Sequence, residues 1–130
     1  MRSLLPPGWP RPRGYCNGIV AQGRLIFTAG VVGWNEAEQF TSHSLPGQFE
    51  QALRNTLAIL AEGGAGPDHI ARMTVYVTEV DLYRQHLKDI GAAWQRVIGR
   101  HYPAMALVGV TELVEPAALV EIETTAVVPE

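Results

Sequence analysis

The sequence predicts an α+β domain, a mixed sheet with two helices packed on one face, in the order β-β-α-β-α-β-β. Three observations carry this. Arg72–Thr78 and Ala118–Val128 are rich in β-branched residues and alternate, as strands do. Phe49, Ala52, Leu53, Thr56, Leu57 and Leu60 instead recur at helical spacing. Finally, 130 residues make one ordinary domain. A composition of 47% hydrophobic and 18% charged residues, without repeats, suits one packed core rather than a disordered chain or a solenoid.

Residues 1–14 hold four of the nine prolines, so an extended arm poor in hydrogen bonds is expected rather than a strand. Its Arg11 and Arg13 are either solvated or reach an anionic ligand. Tyr15–Ala21 and Arg24–Val32 flank Gln22-Gly23 and read as a hairpin. Gly30 and Gly33 bracket the end of its second strand, where missing side chains permit a bulge or close approach of a ligand to the backbone; a bulge is the simpler expectation. Trp34–Ser44 is polar and mixed, a surface loop.

Pro46 stands where a first helical turn begins, and Gly63-Gly64 ends that helix. The glycines before Pro67 do not make a phosphate loop, because they follow a helix and lack the Lys-Ser/Thr of that motif. After a turn capped by Asp68 comes the strand Arg72–Thr78. Asp81 is the expected N-cap of a second helix with Tyr83, Leu87, Ile90, Trp94 and Val97 on its apolar face, ending near Gly99. Tyr102–Val110 and Ala118–Val128 are the last strands, joined by the connector Glu112–Pro116. Pairing between them would set Met105 beside Glu121. The sheet's second face then needs cover, which another subunit would supply.

Several function classes are excluded. A net charge of −3 and scattered Lys and Arg offer no basic stripe, so nucleic acid is not an expected partner. The apolar runs fall short of the roughly 20 residues of a membrane helix, and Pro6-Pro7 interrupts any signal-peptide core. A cytoplasmic protein without membrane partners is expected. His43, His69, His86 and His101 form no compact ligand pattern, so no metal site is expected, and no nucleophile elbow or dinucleotide fingerprint is present. Cys16 is the only cysteine and reads as structural.

A whole-chain pattern is more specific. Pro12-Arg13-Gly14-Tyr15, Leu25–Gly30, Gln51–Asn55, Ile59–Gly64, Thr74–Thr78, Tyr102-Pro103-Ala104 and Leu119–Glu123 together resemble the Rid family, also called YjgF-like. The resemblance implies a chorismate-mutase-like α+β subunit, a homotrimer with a central barrel, and ligand clefts between subunits. It also implies hydrolysis of enamines or imines to oxo acids and ammonia, with no cofactor or metal. In deaminating members, Pro-Ala is followed by an arginine that holds the substrate carboxylate, and a glutamate on the last strand positions water. Tyr15 and Glu121 match family site positions.

Met105 stands where that arginine would be, Leu107 where well-known deaminases carry cysteine, and Lys88 where they carry asparagine. Losing one partner of a buried charged pair costs about 2–5 kcal/mol, and a thioether cannot replace a guanidinium. Ordinary 2-aminoacrylate is therefore expected to be a poor substrate. Either Arg11, Arg13 or Lys88 holds a carboxylate elsewhere, or a longer substrate packs on Met105, Leu107 and Trp34. The opening Leu5–Pro10 with Gly14-Tyr15 resembles the branch that deaminates 2-aminomuconate-type compounds. The expected site is thus Glu121 as acid/base, with Arg13, Tyr15, Gly30, Trp34, Lys88, Met105 and Leu107 around a small carboxylated ligand. The alternative is a trimer that binds a small acid without turnover.

Overall fold

The computed structural model describes residues 1–130. In order, the elements are β1 (Arg2–Ser3), β2 (Ile19–Val20), β3 (Arg24–Phe27), β4 (Val31–Val32), α1 (Leu45–Glu62), β5 (Ile70–Val77), α2 (Val80–Gln85), α3 (Leu87–Val97), β6 (Ala104–Gly109) and β7 (Val120–Val128). The main sheet runs β3-β7-β5-β6, with β4 also on β7. Only β5 and β6 are parallel, and the helical stretch between them supplies the crossover that a parallel pair needs. The expected mixed α+β class holds. No helix is long and apolar enough to cross a membrane.

The two most regular strands take the centre. β5 buries Met73, Val75 and Val77 and β7 buries Val120, Ile122, Thr124 and Ala126, all toward one face. Onto that face α1 packs Phe49, Ala52, Leu53, Thr56 and Leu60, and α3 packs Ile90, Ala93 and Trp94. The expected ends of α1 are met: the Ser44 hydroxyl accepts from Gly47 N at 3.1 Å, and Gly64 turns the chain at φ 80°. Glu50 on α1 accepts from Arg96 on α3 at 2.6 Å and from Arg54 at 2.9 Å. These two guanidiniums, Arg96 first, hold its carboxyl below the usual range.

Four expectations are corrected. The hairpin does not form, because β2 pairs with β1 and β3 pairs with β7. Gly23, at φ 150°, lies so close to the β7 end that a Cβ would meet Val128 O at 2.1 Å, so the turn delivers β3 to β7 rather than to β2. The arm accordingly contains a short strand. The second helix breaks at His86 (φ −114°, ψ 23°), and Asp81 pairs with Arg84 at 2.9 Å while Glu79 takes the N-cap position without a side-chain bond. Finally, β6 and β7 do not pair. β5 lies between them, with Met105 opposite Met73 and Glu121 opposite Tyr76. Because Met73 and Tyr76 are three residues apart on one strand, their side chains leave opposite faces, and so do Met105 and Glu121.

One buried amide ties these layers together. Gln48 on α1 is fully buried; its Nε2 donates to Ser42 O (3.1 Å) and Ala117 O (2.9 Å), and its Oε1 accepts from Leu119 N (2.7 Å). Gly33 permits the approach, since a Cβ there would fall 2.2 Å from Gln48 O. Gln48→Leu keeps the bulk but strands those three backbone groups. It is expected to cost about 2–4 kcal/mol in urea unfolding; a change below about 0.5 kcal/mol would show that water replaces the amide.

Candidate functional site

The predicted site residues separate into two groups at opposite sides of the sheet. Glu121 leaves β7 on the face away from the helices, in register with Tyr76 on β5 and Val32 on β4. It is half-buried and makes no hydrogen bond or ion pair, whereas its neighbour Glu123 accepts from the Tyr76 hydroxyl at 2.7 Å, which pushes that phenol's pKa up. A Cβ on Gly30 would fall 2.6 Å from Glu121 Oε2 and 2.8 Å from its carboxyl carbon. Glycine at 30 therefore makes room for this carboxylate.

The backbone arranges that meeting by a bulge. Phe27 is opposite Thr125 but Val31 is opposite Ile122, so one extra residue is accommodated between β3 and β4. Thr28 N donates to Thr124 O (2.9 Å), and Thr124 N donates back to Thr28 Oγ1 (3.0 Å). Gly30 and Trp34 also line a groove of about 680 Å³ with Asn55 and Ile59. Asn55 Nδ2 donates to Val32 O (3.0 Å) and Trp34 O (2.7 Å), fixing this loop to α1. Asn55 belongs to the family pattern, but an asparagine on a helix surface gives no signal of the loop it will meet.

Met105 lies on the other side. With Arg13, Tyr83, Leu87, Gly91, Trp94 and Tyr102 it lines a cleft of about 430 Å³, while Leu107 packs half-buried against the core. Burial pushes the Tyr83 phenol's pKa up. Lys88 is exposed on α3 and is not part of the lining. Tyr15 occupies an adjoining cavity of about 380 Å³ with Arg11, Arg100 and His101; Tyr102 lines both. The arm is fixed here by Cys16, whose N donates to Pro103 O (2.9 Å) and whose thiol donates to Tyr102 O (2.6 Å).

One chain thus carries an unpaired carboxylate over a glycine on one side and an apolar cleft with a cation on the other. It does not bring Met105 and Glu121 together. No three His, Cys, Asp or Glu side chains gather as a metal-binding group.

A two-layer α+β subunit of this order, with its clefts at the sheet margins, is the class to which the comparisons point. The chain belongs to the Rid/YjgF family, whose family model, described as Endoribonuclease L-PSP, matches residues 10–128. A RutC family protein of Aquifex aeolicus is 30% identical, over 98% of this chain and 99% of the relative. The RutC family protein UK114 of Drosophila melanogaster is 29% identical over 89% and 81%. Among solved structures, the Rid-family protein YyfB from Yersinia pestis superposes with a TM-score of 0.85 at 28% identity, over 98% of each chain. Proteins of this family act as imine or enamine deaminases or bind small molecules.

Cys16 is a structural thiol. Burial pushes its pKa up, and the thiolate is the reactive form. Alkylation by iodoacetamide at pH 7.5 is expected to be at least about tenfold slower than for a free thiol and to reach the free rate in urea. Equal rates in the folded and unfolded chain would contradict the half-buried, hydrogen-bonded placement.

Proposed function

We propose that the protein hydrolyses a carboxylated enamine or imine, of the extended 2-aminomuconate kind, to an oxo acid and ammonia. The observation that carries this reading is Glu121, a half-buried carboxylate with no partner of its own, held over Gly30. A carboxylate without a fixed cation or donor is available to exchange protons with a ligand. The net charge of −3 gives no support to ribonuclease action.

The chemistry balances without a cofactor. A proton from solvent adds to the enamine carbon and turns it into an iminium. Water adds to the iminium carbon as Glu121 takes one of its protons, and the same carboxyl returns that proton to nitrogen as the C–N bond breaks; the remaining hydroxyl proton goes back to solvent as C=O forms, releasing ammonia and the oxo acid. The ligand meets apolar surface at Met105 and Trp34, and Tyr15 borders the cavity next to Met105's cleft. With Glu121 and Met105 on opposite faces of one sheet, a complete site requires the Met105 side of one copy to meet the Gly30 side of the next. A homotrimer with its ligand clefts between subunits satisfies this. Support for such an assembly comes from the open sheet face, where Phe27 is 68% and Leu25 56% exposed.

A second reading, binding of a small acid without turnover, is favoured by one observation: Met105 brings no charge to its cleft. Ammonia release from a panel of enamine carboxylates separates the two readings. Turnover that falls at least about a hundredfold in Glu121→Gln, a loss of the size expected for an acid/base group, supports the deaminase. Tight binding with no turnover supports the second reading. Sedimentation at micromolar concentration is expected to give about three times the 14.2 kDa of the chain; a monomer would remove the shared site.

A further inference from the structure

Arg13 has no partner within the chain. The arginines held in ion pairs are Arg54, Arg84 and Arg96, and no carboxylate lies within 4.0 Å of Arg13. An unpaired exposed arginine is ordinary by itself. Its surroundings are not ordinary. Leu87, Ile90, Gly91 and Trp94 lie at one helical spacing and present one face of α3 to the same cleft. Trp94 stacks on Tyr102 with centroids 6.1 Å apart and planes within 11°, and the Tyr102 hydroxyl accepts from Gln95 Nε2 at 2.7 Å. The Trp94 indole in turn donates to His101 O at 3.0 Å. Trp94 itself is buried, so Tyr102 is the aromatic wall that the cleft presents, and these bonds hold its orientation before any ligand arrives.

Gly91 is the second, independent observation. It lies in the interior of α3, where glycine destabilises a helix by about 0.5–1 kcal/mol relative to alanine. Its backbone is not left-handed, and a Cβ added there would meet nothing within 4 Å. Neither backbone conformation nor packing calls for glycine. The bare backbone leaves the cleft open at that point, in the same lining as Tyr102 and Met105.

We infer that Arg13, on the arm, is the carboxylate anchor of this cleft, and that the ligand it selects is a flat, unsaturated carboxylate lying over Gly91 against Tyr102, the partly exposed ring of the stacked pair. This rests on the reading of the Met105 cleft as part of the ligand site. The geometry separates Arg13 from the other two candidate cations. Arg11 lines the adjoining cavity with Tyr15 and Arg100, not this one. Lys88 follows Leu87 by one residue, about 100° around the helix from the cleft face, and is exposed. A volume of about 430 Å³ is in the range of small-ligand sites, and a short aliphatic acid would leave the aromatic wall uncovered.

Calorimetry on the intact chain tests this with three probes: trans-cinnamate, its neutral amide and acetate. Wild type is expected to bind cinnamate well and acetate poorly. Arg13→Gln is expected to weaken cinnamate about ten- to a hundredfold, the range for a charge-assisted hydrogen bond, while leaving the amide unchanged. Gly91→Leu is expected to abolish binding of both cinnamate and the amide while keeping or raising the thermal midpoint, so the loss is not one of folding. Cinnamate binding unaffected by Arg13→Gln, lost instead in Lys88→Gln, or absent in wild type at millimolar concentration would overturn the anchor. Turnover assays report separately. Arg13-dependent cinnamate binding without any deamination supports the anchor and removes the deaminase reading; deamination indifferent to Arg13→Gln removes the anchor and keeps the deaminase.

Discussion

Because β5 hydrogen-bonds to β6 on one side and to β7 on the other, the two strands that carry Met105 and Glu121 are held apart. The constraint is the buried alternation of β5 itself. Met73, Val75 and Val77 have no exposure and face both helices, so an edge position would leave an apolar row uncovered. β6 takes the edge instead, and its last residues, Val108 and Gly109, are exposed. Every property of the site inherits this order. Glu121 is directed away from the helices and Met105 toward them, so the two side chains stand on opposite faces of one sheet.

The register of β7 is what aims Glu121, and Gln48 fixes that register at its start. The amide binds Ala117 O and Leu119 N, immediately before β7, so Glu121 is placed two residues beyond a buried anchor. At the other margin, the Thr28–Thr124 exchange absorbs the extra residue between β3 and β4 and presents Gly30 beneath the carboxylate. Two hydrogen-bonded devices on different elements therefore converge on one side chain. A one-residue slip of β7 would send Glu121 into the core and Ile122 out of it.

Much of this was legible in the sequence. The caps and spacing of α1, the alternation of β5 and β7, the α+β class and the family pattern all survive. What the pattern could not carry was pairing. Alternation says that a strand has two unlike faces but not which strand lies beside it, so the sequence alone sets Tyr102–Val110 beside Ala118–Val128, where the fold puts β5 between them. The same limit produced the hairpin across Gln22-Gly23. The break at His86 was hidden because Tyr83 and Leu87 keep helical spacing through it. At Gly30 the sequence permits a bulge or a close approach; the chain forms the bulge, and the group that approaches is its own Glu121.

The proposed anchor at Arg13 places the charge on the arm rather than on the strand that carries Met105. Met105 packs against the main core, and an ion there has to be desolvated on one side while it grips a ligand on the other. A guanidinium on the arm avoids that conflict, since Arg13 is exposed and loses little hydration until a ligand arrives. The cost moves to positioning, because an arm without regular structure holds a side chain loosely. Cys16 limits that cost: three residues beyond Arg13, it is bonded through both its amide and its thiol to the segment that leads into Met105. The arm and the segment before β6 are thus tied together at this point, and the backbone at Arg13 lies within the covalent reach of three residues from that tie.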